Sequence, residues 1–439
     1  MLEHQLYIET YGCQMNLNDT EIVQKIMTDA GCLIANNIAA ADIILLNTCS
    51  VRDNAEEKIH NRIETLYHLL KKRKKTTVLG ILGCMAERLQ SNLLESNNIV
   101  SLVVGPDEYR KLPELISLAF KGEKHIAVDM TSIETYDDVI PLCSNGISAW
   151  ISIMRGCNNF CSYCIVPYTR GRERSRPADT IINEVKSLVD RGVKEITLLG
   201  QNVNSYSYES TKFHTLLADA AEAVPKNVRI AFLTSHPMDL SDSLIDTIAQ
   251  HDNICKYIHL PIQSGSNRIL KLMNRKYSLE HYLDIISKIK RSIPNVSIST
   301  DVIAGYPSET IEDHQQTLAV IKEVRYVSAF MFRYSPREGT KSYKENDSVP
   351  EEEKIRRLNE IIQLQNRISG ELNQQDIGKT FEVLVETPSK KNPSEWVGKT
   401  MYGKSVIFGN TDGKYIQGDY ANVIITDATS ATLKGNVVE

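Results

Sequence analysis

Six short β-prone runs alternate with helical stretches between residues 150 and 332, and this alternation most narrows what the chain can fold into. The runs cover residues 150–154, 195–199, 229–233, 257–260, 296–302 and 328–332. Helical patterns fill 180–190, 242–250, 279–292 and 310–324. Strands joined through helices of this length pair in parallel, because only a crossover of a dozen or more residues returns the chain in the same direction. Six such units make an incomplete TIM-like barrel, whose chemistry belongs at the C-terminal ends of its strands. A long charged helix over 351–372 closes the region.

The flanks read differently. Residues 1–120 place strands at 5–11, 42–47, 77–82 and 100–104 and helices at 17–30 and 54–70. That pattern predicts an open parallel sheet of Rossmann or flavodoxin type with helices on both faces. Residues 129–145 are polar and aperiodic, as in a linker. After 375 the apolar runs are short and punctuated by Gly, Asn and Asp, which predicts a small antiparallel β-barrel. The expected fold class is therefore α/β with three domains, over 1–125, 143–373 and 375–439.

Composition excludes several classes. Fifty basic against 55 acidic residues give a net charge of −5, which argues against a chain coated in cation for nonspecific nucleic-acid binding. No apolar run reaches the roughly 18 residues of a membrane span. The first residues carry neither a basic nor an apolar leader segment, so a cytoplasmic monomer is expected. Nine cysteines in a reducing compartment point to metal ligation where they group and to burial where they do not.

One group is compact. Cys157, Cys161 and Cys164 follow the first barrel strand with CxxxCxxC spacing. Three thiolates within eight residues can wrap one face of a 4Fe–4S cube and leave one iron open. A structural zinc ion would want a fourth protein ligand, and none is evident nearby. A second group is dispersed: Cys13, Cys49 and Cys84 each close a strand of the N-terminal sheet. Parallel strands end on one edge, where doubly wound folds bind ligands, so these thiols can converge. Gly12 and Gly83 beside them permit sharp turns. Burial as packing residues is the alternative for this triad, and packing or a place at the surface is the reading for Cys32, Cys143 and Cys255.

The CxxxCxxC loop resembles the signature of the radical S-adenosylmethionine (SAM) superfamily. The runs 12–16 (GCQMN), 47–52 (NTCSVR) and 83–88 (GCMAER) resemble methylthiotransferases, and 157–173 (CNNFCSYCIVPYTRGRE) resembles their prenyl-adenosine tRNA branch. The resemblance implies two 4Fe–4S-type clusters, one on Cys157, Cys161 and Cys164 as the catalytic centre and an auxiliary one on Cys13, Cys49 and Cys84. It implies two uses of SAM, as methyl donor and as radical source, an external electron donor, a sulfur source the sequence does not name, and a tRNA anticodon stem-loop as substrate. Sister enzymes acting on a ribosomal-protein aspartate or on threonylcarbamoyl adenosine are the alternative, and a non-catalytic iron–sulfur carrier is a rival of another class.

Strand ends of the barrel supply the expected SAM contacts: Gly200, Gln201, Ser235, His259, Gln263, Asp301 and Gly305, the last by close backbone approach. His236 and His259 read equally well as structural histidines. Arg170, Arg172, Arg174 and Arg176 crowd one loop and are candidates for anticodon-loop phosphates, with internal pairing as the alternative. The basic run 71–75 reads first as a solvated face. Residues 398–405 match GxxxxGK[ST], but β-prone residues follow where a phosphate loop needs a helix. The segment resembles a TRAM domain instead, with Lys399, Tyr402 and Lys404 as RNA contacts on a β surface.

Overall fold

The computed structural model describes residues 4–50, 55–73, 75–131, 133–142, 146–410 and 413–438. Within these, the N-terminal domain is a six-stranded parallel sheet. Its order is Leu33–Ile34, Gln5–Thr10, Ile43–Thr48, Val78–Gly83, Val100–Val104, His125–Ala127. This is the flavodoxin-like order, with the chain reversing direction across the sheet between Gln5–Thr10 and Ile43–Thr48. The two central strands are buried at every position, since helices cover both faces. Separate apolar clusters fill the two faces, one around Val23, Leu45 and Ile116 and the other around Ile44, Ile63 and Ile81. The sequence reading missed the strands at 33–34 and 125–127, which are too short to carry a period-2 pattern. The last of them also crosses the expected boundary at 125. The helix expected from 54 is described from Ala55 to Leu70, and residues 51–54 lie outside the described residues.

The central domain carries the six expected barrel strands. Ser148–Ser152, Glu195–Leu199 and Arg229–Phe232 form one parallel sheet, and Tyr257–His259, Ser297–Ala304 and Ser328–Arg333 another. A parallel bridge between Ile230 and Ile254 links them into one incomplete barrel. Helices Ala178–Asp190, Phe213–Glu222, Asp242–Gln250, Leu279–Ser292 and Ile311–Val324 pack outside it. Their starts are set by local chemistry. Ser241 and Ser278 accept from the third residue on, and Thr310 forms a reciprocal capping box with Asp313. Helix Glu351–Gln374 lies against the last two strands and fastens there through the buried pair Arg357–Glu309, 2.8 Å.

The C-terminal domain is a closed five-stranded barrel of Thr380–Pro388, Glu395–Thr400, Ser405–Gly409, Leu433–Val437 and Tyr420–Ala428 in spatial order. The sequence reading of a wholly antiparallel barrel needs one correction, because Ser405–Gly409 and Leu433–Val437 pair in parallel to close it. The phosphate-loop match falls on a strand, a turn and another strand, so no helix N-terminus is present to hold a phosphate. This barrel docks on the N-terminal ends of the central strands. Arg229 donates to the Lys399 carbonyl (2.7 Å) and stacks on Tyr420 (4.9 Å), and Lys256 N–H donates to the Met401 carbonyl (2.9 Å).

Thr310→Ala removes the hydroxyl that accepts from the Asp313 N–H, leaves the Thr310 N–H to Asp313 half of the box in place, and should lower stability by about 1 kcal/mol, read as a shift of the urea midpoint. An unchanged midpoint would show the cap to be redundant with tertiary packing.

Candidate active site

The loop carrying Cys157, Cys161 and Cys164 is tied down at many points. Cys157 N–H donates to Gly171 O (3.1 Å) and Cys164 N–H to Cys161 O (3.0 Å). Between them, Ser162 N–H donates to Met273 O, and its hydroxyl reaches Leu272 O and Tyr306 Oη. All three thiols are half-buried. Burial first, and then neighbouring thiols, push Cys157 up and Cys164 up to about 12. Thiols so placed repel one another as thiolates and suit a cationic centre that would neutralise them. Arg275, buried and held by Tyr277 and Pro261, donates toward the Cys161 sulfur at 3.5 Å.

The second triad lies where the N-terminal sheet reverses its strand order. Cys13 caps helix Gln14–Asp29, Cys49 follows Thr48, and Cys84 opens helix Cys84–Leu89. Glycine is required on two of these turns. A Cβ on Gly12 (φ +135°) would stand 2.6 Å from Cys49 Cβ, and one on Gly83 (φ +90°) 2.5 Å from Thr48 O. A hydrogen bond from Cys49, then the charge of Arg170 and the helix N–H groups of Asn16 and Met15, overcome burial and draw Cys13 down to about 6. Burial pushes Cys84 up, although Arg170 Nε donates to its sulfur at 3.2 Å. Among the described residues no three His, Cys, Asp or Glu side chains close on a single metal ion. Cys32 packs in the N-terminal core and Cys255 is buried, while Cys143 lies outside the described residues.

One cysteine of each triad faces a cavity of about 790 Å³, lined by Cys13 and Gln14 from one domain and by Cys164, Gln263, Asp301 and Phe332 from the other. Phe330 and Phe332 also line it and are 54% and 44% exposed, while Met331 between them packs outward on the core. Lys58, Arg333 and Arg337 line it as well.

Of the expected SAM contacts, Gln263 and Asp301 line this cavity. His259 joins Ser299 (2.9 Å) and Asp301 (3.4 Å) and meets Phe330 edge-on. Gln201 Oε1, Asn202 Oδ1 and Ser235 Oγ are buried without a partner in the described protein, as befits a place for a polar ligand. The space that a Cβ would take beside Gly305 (φ +73°) is filled by Lys354 of the closing helix, and that beside Gly200 by Met154, so close packing asks for glycine at both. His236 is a structural histidine: it accepts from Met238 N–H, and burial, with Arg275 and Lys276, draws it down to about 3.

The expected RNA contacts need larger corrections. Arg170, Arg174 and Arg176 are buried and spent on internal carboxylates: Asp19 at 2.7 Å, Asp107 at 2.7 Å and Glu184 at 2.8 Å. Buried guanidinium groups demand such partners, which takes these three off the surface. Arg172 is exposed and lies 4.3 Å over the Phe160 ring. In the C-terminal barrel, Lys404 pairs with Asp376 (2.5 Å), Tyr402 meets Phe381 edge-on, and Lys399 lies 3.9 Å from Glu195 at the contact with the central domain. The 71–75 run folds back onto its own domain, with Lys75 on Asp42 (2.5 Å) and Arg73 on Ala41 O (3.2 Å); residue 74 lies outside the described residues.

Sequence reasoning missed the acidic half of this arrangement. Asp19 accepts from both Arg155 (3.0 Å) and Arg170, and Asp107 from Arg174. Burial alone would raise the Asp19 carboxyl, but Arg155 and Arg170 hold it below its usual range. A faint signal existed, since Cys13, Asn16 and Asp19 recur every third residue along one helix face.

Residues 151–321 match the Radical SAM superfamily, 374–438 the TRAM domain, and 5–105 the uncharacterized protein family UPF0004. The fold is similar to that of the radical SAM methyltransferase TsrM from Kitasatospora setae (TM-score 0.57, 12% identity, 76% of this chain and 75% of that one). It is also similar to that of the cobalamin-dependent SAM radical enzyme OxsB (TM-score 0.56, 12% identity, 83% and 56%). Barrel, cysteine loop and sequence match together make this a radical SAM protein. Nearer relatives are the tRNA-2-methylthio-N(6)-dimethylallyladenosine synthases of Bacteroides thetaiotaomicron, Chloroherpeton thalassium and Porphyromonas gingivalis. They are 55%, 53% and 51% identical, over 99%, 99% and 100% of this chain and 96% of each relative. The chain belongs to the tRNA-2-methylthio-N(6)-dimethylallyladenosine synthase family.

Two outcomes follow from the buried charges. Asp19→Ala strands Arg170 without a carboxylate, leaves Arg155 only Asp107 at 3.7 Å, and should cost about 3–5 kcal/mol of stability, measured by denaturant unfolding; a loss below 1 kcal/mol would mean the network relaxes freely. Glu87 is pushed up to about 8 from its ordinary 4.5 by burial and by Asp107, Asp129 and Glu108. A raised folded pKa favours folding below the unfolded value and loses that contribution as pH climbs to the folded one. Glu87→Gln should therefore flatten the fall in stability between pH 4.5 and about 8 and leave the variant the more stable at pH 8. Parallel pH profiles would contradict this.

Proposed function

We propose that this chain is a radical SAM methylthiotransferase that places a methylthio group on carbon 2 of N(6)-dimethylallyladenosine beside the tRNA anticodon. The observation that carries the reading is a cavity between domains lined by a member of each cysteine triad, Cys13 and Cys164. In this reading Cys157, Cys161 and Cys164 hold a 4Fe–4S cluster with one open iron, and Cys13, Cys49 and Cys84 hold a second. The donor sets fit: three clustered thiols in each case, with glycines where crowding forbids a Cβ. The clusters and SAM supply radical generation, methyl donation and sulfur delivery when bound.

The chain's own residues do the rest. Gln263 and Asp301 face the cavity alongside Cys164 and would orient SAM there. The unpartnered polar atoms of Gln201, Asn202 and Ser235 offer further hydrogen bonds at the strand ends. Phe330 and Phe332 present apolar ring surface to a splayed prenylated base, since aromatic rings stack on any base. Lys58 and Arg172, exposed near the two cysteine sites, offer charge to loop phosphates. The domains expected at 1–125, with its sheet running on to Ala127, at 143–373 and at 375–439 divide the labour into the auxiliary site, the radical site and an RNA grip. An external electron donor, a sulfur source, a cytoplasmic setting and a monomeric state complete the proposal. Among the described residues no helix is long and apolar enough to cross a membrane.

The test is anaerobic incubation of iron-loaded, reduced protein with SAM and prenyl-adenosine tRNA, followed by nucleoside mass spectrometry. A methylthio mass gain on the prenyl-adenosine is expected. Cys157→Ala should abolish both the gain and 5′-deoxyadenosine release, whereas Cys84→Ala should abolish the gain and keep the release. SAM cleavage without any mass gain on this tRNA would refute the substrate.

A further inference from the structure

Arg170 stands six residues beyond Cys164, yet its side chain ends in the other domain. It is 3% exposed. Its Nε–H donates to the Cys84 sulfur at 3.2 Å, and its Nη2–H to Asp19 at 2.7 Å. The main chain is held on both sides: Arg170 N–H donates to Val166 O (2.8 Å), and Arg170 O accepts from Arg174 Nη2 (3.1 Å). Asp19 is itself fixed, because its other oxygen accepts from Arg155 at 3.0 Å. Asp19 lies on the helix that starts at Cys13. The guanidinium therefore has one orientation, and that orientation spends a donor on sulfur. A strut that merely joined the two domains would need the Asp19 pair alone.

We propose that Arg170 is a positioning residue for the auxiliary site, which fixes the Cys84 sulfur by a charged N–H···S hydrogen bond and so raises the reduction potential of the cluster that Cys13, Cys49 and Cys84 hold. The inference rests on the reading that those cysteines hold an iron–sulfur cluster. A cationic donor on a thiolate sulfur withdraws electron density from the iron it ligates, and hydrogen bonds to sulfur are among the protein's main means of setting such potentials. Burial strengthens the bond, because no water competes for the sulfur. The loop geometry adds a second consequence. The residue that conditions the auxiliary site is carried on the same short segment as the radical-site cysteines, so a shift of that segment reaches both sites.

The experiment uses the full chain with Cys157, Cys161 and Cys164 all changed to Ala, reconstituted with iron and sulfide so that the auxiliary site alone is loaded. Iron is counted, and the midpoint potential is read by EPR-monitored titration. Arg170→Gln should move the midpoint to a more negative value at unchanged iron content, and Arg170→Lys should fall between the two. Independently of any variant's folding, protein grown on ¹⁵N-arginine should show a ¹⁵N hyperfine coupling on the reduced cluster. Arg170→Lys, whose lysine is unlabelled, should lose it. Full iron content with an unchanged midpoint in Arg170→Gln, or no ¹⁵N coupling in the parent, overturns the role of Arg170 and leaves the cluster reading standing. No iron in the parent overturns the cluster reading and this inference with it.

Discussion

A guanidinium group buried without a counter-charge costs several kcal/mol, and three of them lie side by side where the N-terminal domain meets the barrel. Arg155 and Arg174 face each other on the short antiparallel ribbon of Met154–Arg155 and Arg174–Ser175 that brackets the cysteine loop, and Arg170 comes from that loop; Asp19 and Asp107 come from the flavodoxin-like domain. Neither set is tenable buried by itself, so each domain completes the other. The cavity between them follows from that pairing. It brings the edge carrying Cys13, Cys49 and Cys84 over the open end of the barrel and leaves Cys13 and Cys164 in one chamber.

Incompleteness of the barrel is the second condition. Inward-facing side chains of a closed eight-stranded barrel fill its lumen. Here six strands leave Phe330 and Phe332 uncovered and Asp301 and Gln263 reachable. The C-terminal barrel sits at the other end of the same strands, on Arg229 and Lys256, so an RNA that touches both the cavity and that barrel runs along the flank of the central domain. The Lys399–Lys404 turn is largely committed to that contact and to Asp376.

Much of this was legible in order of signal strength. Long helices came through nearly to the residue, as at Leu279–Ser292, because fourteen residues repeat the apolar period and Ser278 marks the start. The six barrel strands were legible from their β-prone runs and the helices between them. Two-residue and three-residue edge strands were not, since pairing with a neighbour rather than their own pattern makes them strands. Gly305 shows a related limit: a glycine is visible in sequence, but Lys354, which fills the space that its Cβ would take, lies 49 residues away.

The sequence by itself determined the three-domain α/β order, the strand ends that carry six cysteines, and the family those motifs mark. Local periodicity and short spacing hold that information, and neither depends on distant partners. The tertiary structure alone decided what the arginines do. A run of four in one loop reads as a surface for phosphate, and a sequence gives no distance between Arg170 and Asp19, 151 residues apart. Burial turned three of those charges inward, because in a low-dielectric interior each must meet a carboxylate, and it set one of them against the sulfur of Cys84.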